Sequence, residues 1–303
     1  MRHHLRVTTP AMNPQRELRF GRDYPVWPYL KWGHALRLHQ KLANDFSLWR
    51  GSLATETRTE YSEDRRVATF YAAIRNPPPT YEWSLALGDI VHNYRSALDA
   101  LAWSMAHLDG STPDPQDEKQ IYFPLTRTRG EFDKLARGRL KSVPAFVLER
   151  LESVQPYHGG QPENAIGVIL HDLDIEDKHR ASIELSTIAA DRTTYQQMWR
   201  YEDPNVMPDP ETVEYEWLAG DGPVTDGDPV AVLRFAKRVA EAEIIELPLV
   251  LRVEHAGRYH DLFAILQMIE HQVGATFRRI ERGFLPDDDQ QPGMSASAAV
   301  APS

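Results

Sequence analysis

The stretch GDIVHNYRSALDALAW, residues 88–103, decides how we expect this chain to fold. It lies within a predicted helix over 81–107, which follows Thr80, a residue type favoured as a helix N-cap. At about 100° per residue, one face of this helix is apolar along its whole length. Its members are Trp83, Leu87, Ile90, Tyr94, Leu98, Leu101, Met105 and Leu108. This stripe alone is sufficient to dock the helix on a core.

The opposite face of the same helix carries His92, Ser96 and Asp99, with Arg95 at its flank. Their neighbours are small or apolar: Leu85, Gly88, Ala102, Trp103 and Ala106. An exposed face would favour Lys and Glu at such positions, so we expect this helix to be buried on both sides. His92, Arg95 and Asp99 are spaced so that their side chains can meet, inside the protein or in a cleft.

A second polar cluster follows in NAIGVILHDLDIEDKHR, residues 164–180. A helix predicted over 163–179 has an apolar arc whose continuation meets Asp177, with Asp174 beside it. Carboxylates that extend an apolar arc point into the protein, where they need an opposite charge. We therefore expect Asp177 to pair with Arg95 or with His92.

The two clusters admit two interpretations. In the first they form a structural polar network that fixes the register of the helices, with Asn93, Asp99, Asp174 and Asp177 as its members. In the second they form an anion pocket. Its ligand-binding residues would be Arg95, Lys178 and Arg180, and its catalytic proton shuttle would be His92 or His179. RNA is the favoured anion, because a metal-free ribonuclease needs only positioning, a proton donor and phosphate stabilisation.

His92, His171, Asp174 and His179 are of the ligand types that bind several divalent metal ions. On a continuous helix, however, His171 and His179 point in different directions, and the nearby cationic side chains would repel a metal ion. We therefore predict neither a metal site nor a cofactor. The sequence also lacks a phosphate-binding P-loop, a dinucleotide-binding glycine turn, a GxSxG nucleophile elbow and an HExxH zinc helix.

The rest of the chain predicts an α+β fold, a multi-helix bundle with an antiparallel β-sheet contributed mainly by residues 180–256. Further helices are predicted over 31–57, 130–140, 144–154 and 259–284, and a short strand at RVATFYAAI, residues 66–74. Residues 201–230 hold nine acidic residues and no Lys or Arg, which indicates an exposed acidic hairpin. Residues 254–262 indicate a strand-to-helix turn with exposed histidines.

We expect a flexible arm over 1–25, a single α+β domain over 26–285 and a disordered tail over 286–303. Within that domain the helical part covers about 31–180 plus 259–284, and the sheet-rich part about 180–256.

Composition narrows the classes of function. The chain has 303 residues and no cysteine, which excludes disulfides, thiolate zinc sites and a cysteine nucleophile. No apolar run approaches the ~20 residues of a membrane helix, so a cytoplasmic protein without membrane contact is predicted. A net charge of −10 argues against a footprint for duplex DNA. It leaves room for RNA or another anionic ligand in a local pocket, and a homo-oligomer is compatible with the sequence.

The motifs HNYRSALDALAW, IYFPL, QPY and DKHR, in that order over residues 80–185, resemble a widespread family of bacterial and phage proteins with no assigned activity. More remotely, a helical bundle with His, Arg and Asn on facing helices is similar to the HEPN ribonucleases of toxin and phage-defence systems. That resemblance implies metal-independent RNA cleavage. HEPN ribonucleases carry an Arg followed after four to six residues by a His, and no Arg of this chain has a His at that distance.

Overall fold

The computed structural model describes residues 27–52, 55–108, 113–179, 183, 185–189, 197–219, 222–244, 247 and 249–282. The arm predicted over 1–25 and the tail predicted over 286–303 lie outside these residues.

The fold is α+β, as the sequence predicted. The described residues form seven α-helices and nine strands, in this order: α1 Trp27–Gly51, β1 Thr55–Tyr61, β2 Val67–Ile74, α2 Thr80–Ala106, α3 Pro115–Glu118, α4 Arg129–Arg137, α5 Ala145–Ser153, α6 Ile166–His179, β3 Leu185–Ala189, β4 Gln197–Tyr201, β5 Val213–Trp217, β6 Pro229–Phe235, β7 Val239–Ile244, β8 Leu249–His255, β9 Arg258–Asp261 and α7 Leu262–Arg282.

The described residues divide into two compact units, each assembled from segments that are far apart in the sequence. One unit draws on 1–36, 91–175 and 267–303 and contains α3, α4 and α5, so we call it the helical unit. The other draws on 37–90 and 176–266 and contains every described strand, so we call it the sheet unit. The single domain expected over 26–285 stays a prediction. Among the described residues, no helix is long and apolar enough to cross a bilayer.

The described residues of the sheet unit form three antiparallel sheets, with strand orders β1-β2-β6-β5, β3-β8-β9 and β4-β7. Most of their strands come from the predicted region 180–256, but the largest sheet also takes in β1 and β2. The helix predicted over 31–57 ends at Gly51 and β1 begins at Thr55, so the end of that prediction was wrong. The reason is local. TETRTEY places β-branched Thr at every second position, a pattern that pairs with β2 residue by residue.

Two predictions at the end of the sheet unit have different outcomes. The acidic hairpin is confirmed, because β5 pairs with β6 and alternates half-buried with exposed residues. The turn predicted over 254–262 is instead a hairpin of β8 and β9, closed at Ala256 and Gly257 with φ of 52° and 74°. His260 is half-buried there, and burial lowers its pKa, so the expectation of exposed histidines was wrong.

The core of the sheet unit is aromatic where it meets the first turns of α2. Trp83 lies edge-on to Phe46 and Trp49, with ring centroids 5.8 and 5.7 Å away, and Phe263 lies 5.2 Å from Phe46. Such edge-on contacts are favoured by the ring quadrupoles beyond the area they bury. Trp83, the first residue of the apolar stripe predicted for α2, therefore packs into the aromatic core of the sheet unit.

In the helical unit, a buried arginine holds the end of α7. The side chain of Arg150 is fully buried, and its Nη1 donates to the carbonyls of Ile280 at 2.7 Å and Glu281 at 3.1 Å. The last carbonyls of a helix have no partner within the helix, and a cation there also favours the helix dipole. Burial lowers the pKa of Arg150.

Candidate functional site

The two faces of α2 differ as predicted, but the polar face is less buried than expected. Of the predicted stripe, every member from Trp83 to Met105 is buried, and α2 has a larger share of buried residues than the other long helices. On the other face Leu85 is 65% exposed and Trp103 is 38% exposed. The side chain of His92 is 42% exposed, whereas that of Arg95 is only 5% exposed. The expectation that α2 is buried on both sides therefore holds only in part. The middle of this face borders a cleft, because Ser96 and Asp99 line it.

Arg95 and Asp99 together bind the backbone of one residue in the IYFPL motif. Nη2 of Arg95 lies 2.9 Å from Oδ1 of Asp99 and donates to the carbonyl of Phe123 at 2.9 Å. The amide N–H of Phe123 donates in turn to Oδ1 of Asp99 at 2.9 Å. One ion pair thus satisfies both backbone polar groups of Phe123. Burial lowers the pKa of Arg95, and the carboxylates of Asp99 and Asp174 oppose that shift.

Gln155 of the QPY motif holds the next residues of the same segment. Its Nε2 donates to the carbonyls of Pro124 and Leu151, at 3.0 and 2.8 Å. Its Oε1 accepts from the amide and the hydroxyl of Thr126, at 3.1 and 3.0 Å. Residues 121–126 belong to no helix or strand, so their backbone groups have no partners in a regular hydrogen-bond ladder. The side chains of Arg95, Asp99 and Gln155 provide hydrogen bonds to them instead. We call Arg95, Asp99 and Gln155 the clamp.

His92 is held between a buried carboxylate and a hydroxyl. Its Nδ1 lies 3.1 Å from Oδ1 of Asp174, whose side chain is 5% exposed, and its Nε2 lies 3.3 Å from Oγ of Ser96. An ionised carboxylate only accepts hydrogen bonds, so Asp174 selects the tautomer with the proton on Nδ1. Nε2 is then an acceptor that faces the Ser96 hydroxyl. We call Ser96, His92 and Asp174 the relay.

A cleft of about 540 Å³ opens in the helical unit beside the relay and the clamp. Its lining residues are Trp27, Lys31, Ser96, Asp99, Ala100, Trp103, Ser104 and Ile121. Ser96 belongs to the relay and Asp99 to the clamp, and Ile121 begins the clamped segment. Most of the exposed wall area is apolar, although four of the eight lining residues, Lys31, Ser96, Asp99 and Ser104, are polar or charged.

The carboxylate of Asp174 faces His92, and Asp99 pairs with Arg95 on α2. The pairing expected between Asp177 and Arg95 or His92 stays a prediction. The carboxylate of Asp177 packs against Gly88, where an added Cβ would lie 2.2 Å from Oδ1. Gly88 thus lets the Asp177 carboxylate approach α2 closely, and an alanine at this position would require the Asp177 side chain to move.

The remaining predicted site residues divide by what the structure describes. Asn93 is buried, in keeping with the place proposed for it in a structural network. Lys178 and His179 end α6, but their side chains, like all of Arg180, lie outside the described residues. The anion-binding roles of Lys178 and Arg180 and the catalytic role of His179 stay predictions.

His171 and its neighbours do not form a metal centre in the described part of the chain. There, no group of three or more His, Cys, Asp or Glu side chains could hold a metal ion. Burial, followed by the charge of Arg95, lowers the pKa of His171 and favours its neutral form. Nearby, Arg127 binds Asp172 at 3.1 Å in a half-exposed ion pair.

No family model, curated protein or solved structure matches this chain. The resemblance to the motif family and to the HEPN ribonucleases therefore stays a prediction.

Sequence reasoning missed three features that the structure brings together here. Gln155 was read only as part of a motif, although a buried amide that can both donate and accept is suited to holding an extended segment. Ser96 was placed on the polar face without a role, although its position four residues after His92 puts the two side chains in reach. Trp27 and Lys31 gave no signal, because no pattern in the sequence connects them to α2.

Proposed function

We propose that the motif residues are a structural clamp that shapes a ligand cleft, and that the protein is a helical-bundle binding module. The observation that carries this proposal is the ion pair of Arg95 and Asp99, which satisfies both backbone groups of Phe123. The clamped segment starts at Ile121, which lines the cleft together with Asp99. The clamp therefore fixes one wall of the cleft. A cytoplasmic location is part of the proposal, supported by the absence of cysteine.

The burial of Arg95 argues against its use as a phosphate ligand. A guanidinium that is 5% exposed and already engages a carboxylate and a carbonyl would have to leave both before it could bind RNA. Breaking such a buried pair costs several kcal/mol. Metal-independent RNA cleavage remains the alternative function, and it rests on the half-exposed His92 with the carboxylate of Asp174 behind it.

One experiment separates the two functions. The purified chain is incubated with single-stranded RNA in EDTA, and the melting temperatures of Arg95→Ala and His92→Ala are compared with wild type. The clamp predicts no cleavage, a large loss of melting temperature for Arg95→Ala and a small one for His92→Ala. RNA cleavage that disappears in a normally melting His92→Ala variant, together with an Arg95→Ala variant as stable as wild type, would establish the ribonuclease instead.

A further inference from the structure

We infer that Ser96 is a nucleophile activated by His92 and Asp174, and that the cleft hydrolyses carboxylic esters with an apolar acyl group. This inference goes beyond the binding module proposed above and does not depend on the clamp. Its basis is that Ser96 lines the cleft and also lies 3.3 Å from Nε2 of His92. Among the described residues, Ser96 therefore contacts a base, His92, and also borders a space that a substrate can enter.

The order of the relay is the order that general-base catalysis requires. Asp174 is buried and lies 3.1 Å from Nδ1 of His92, so it orients the imidazole and selects the neutral tautomer in which Nε2 is the acceptor. Nε2 can then accept the hydroxyl proton of Ser96. A nucleophile, a base and a group that orients the base are the three parts of this catalytic arrangement, which is recognised by geometry rather than by chain order. The distance of 3.3 Å between Oγ of Ser96 and Nε2 of His92 is slightly longer than the range of about 2.6–3.2 Å for a well-formed catalytic hydrogen bond.

The second serine of the cleft shows why Ser96 is the candidate. Ser104 also lines the cleft, but its hydroxyl donates to the carbonyl of Ala100 at 2.8 Å, the ordinary bond of a helix serine. The Ser104 hydroxyl is therefore bonded to a backbone carbonyl of its own helix and not to a base that could accept its proton. The contrast between two serines on the same helix indicates that the relay is specific to Ser96.

The lining of the cleft indicates the substrate. Trp27, Trp103 and Ile121 provide an apolar wall for an acyl group within about 540 Å³. Lys31 lines the same space and can stabilise the negative charge that develops on the carbonyl oxygen. Asp99 also lines it, but its charge is matched by Arg95 at 2.9 Å. An uncharged ester therefore suits this cleft better than a cationic ligand.

The reaction balances with water as the co-reactant. Oγ of Ser96 attacks the ester carbonyl carbon while its proton passes to Nε2 of His92. The bond from carbon to the leaving alkoxide then breaks, and Nε2 returns the proton to that oxygen, which releases an alcohol and leaves an acyl group on Ser96. Water attacks the acyl carbon, gives its proton to Nε2 and releases the carboxylic acid, and the proton returns to Oγ.

The test uses the purified full-length chain. A fluorophosphonate probe forms a bond between phosphorus and an activated serine oxygen with loss of fluoride, and intact mass with peptide mapping locates the adduct. Hydrolysis of p-nitrophenyl butyrate is followed in parallel. We expect a single adduct on Ser96, and a loss of both labelling and hydrolysis by more than about a hundredfold in Ser96→Ala and His92→Ala. Asp174→Asn, which changes a positioning residue, should lower kcat by roughly 10³–10⁴-fold at nearly unchanged KM.

The matched control is Ser47→Ala. Ser47 is an exposed serine on α1 whose hydroxyl donates to the carbonyl of Ala43, and it lies outside the cleft. Its variant should label and hydrolyse like wild type. Ser96→Ala replaces a helix residue by the best helix former, so it is expected to fold even if changes at His92 or Asp174 do not. An adduct on another residue, or a Ser96→Ala variant that labels and hydrolyses like wild type, overturns the inference.

Discussion

Removing the guanidinium of Arg95 should be the most damaging single change in the clamp. Arg95→Ala deprives Asp99 of its cation and the carbonyl of Phe123 of its donor. Loss of one partner of a buried ion pair costs about 3–5 kcal/mol. The Asp99 side chain is 33% exposed, so water partly compensates its charge, and we expect the lower end of that range.

The assay is urea unfolding at equilibrium, followed by circular dichroism. The expected loss of about 3 kcal/mol in the free energy of unfolding is read directly from the urea curves. In a thermal melt of the same variant it corresponds to a melting temperature lower by roughly 6–12 °C, because domains of 150–250 residues lose about 2–4 °C per kcal/mol. Arg127→Ala is the matched control, because Arg127 pairs with Asp172 in the same unit but is 47% exposed. An exposed pair of this kind contributes about 0–1 kcal/mol. If Arg95→Ala loses no more stability than Arg127→Ala, the clamp does not hold the fold as argued.

Three further predictions concern other contacts of the structure. Gly88→Ala should be more favourable in an Asp177→Ala background than in the wild-type chain, because its Cβ would meet the Asp177 carboxylate only in the latter; additive effects in the double-mutant cycle would refute the contact. Burial holds the pKa of His171 below its ordinary 6.5, so its contribution to stability is complete above pH 6.5 and is lost as the pH falls. Urea unfolding between pH 7 and 5 should therefore show a flatter loss for His171→Gln, and an unchanged slope would contradict this. Arg150→Met should cost about 3 kcal/mol, since it leaves the Ile280 carbonyl at the end of α7 without its donor; a calorimetric melting curve like that of wild type would speak against that role.

The periodic parts of the chain were predictable, because a helix or strand repeats its own pattern. The buried stripe of α2 and the alternation in β5 were both read directly from residue spacing. The strand β1 was missed because its Thr residues follow a helix without a proline to mark the boundary. The helix was simply extended into it.

The site was harder to predict because its partners are set by how helices cross rather than by sequence spacing. Asp174 and Asp177 lie three residues apart, so both project to one side of α6, and spacing alone does not show that Asp174 faces His92. The clamp could not be predicted from the sequence for a different reason. Its acceptor and donor on Phe123 are backbone atoms, which every residue has, so no side-chain type marks the position.

Amide hydrogen exchange tests whether the side chains of the clamp hold a segment without regular structure. The amides of Phe123 and Thr126 donate to Asp99 and Gln155, so both should exchange at least about a hundredfold more slowly than an unstructured peptide. In Asp99→Ala the Phe123 amide should lose this protection, while the Thr126 amide, which serves as the internal reference, keeps most of its own. A Phe123 amide that exchanges at the unstructured rate in the wild-type chain would contradict the account.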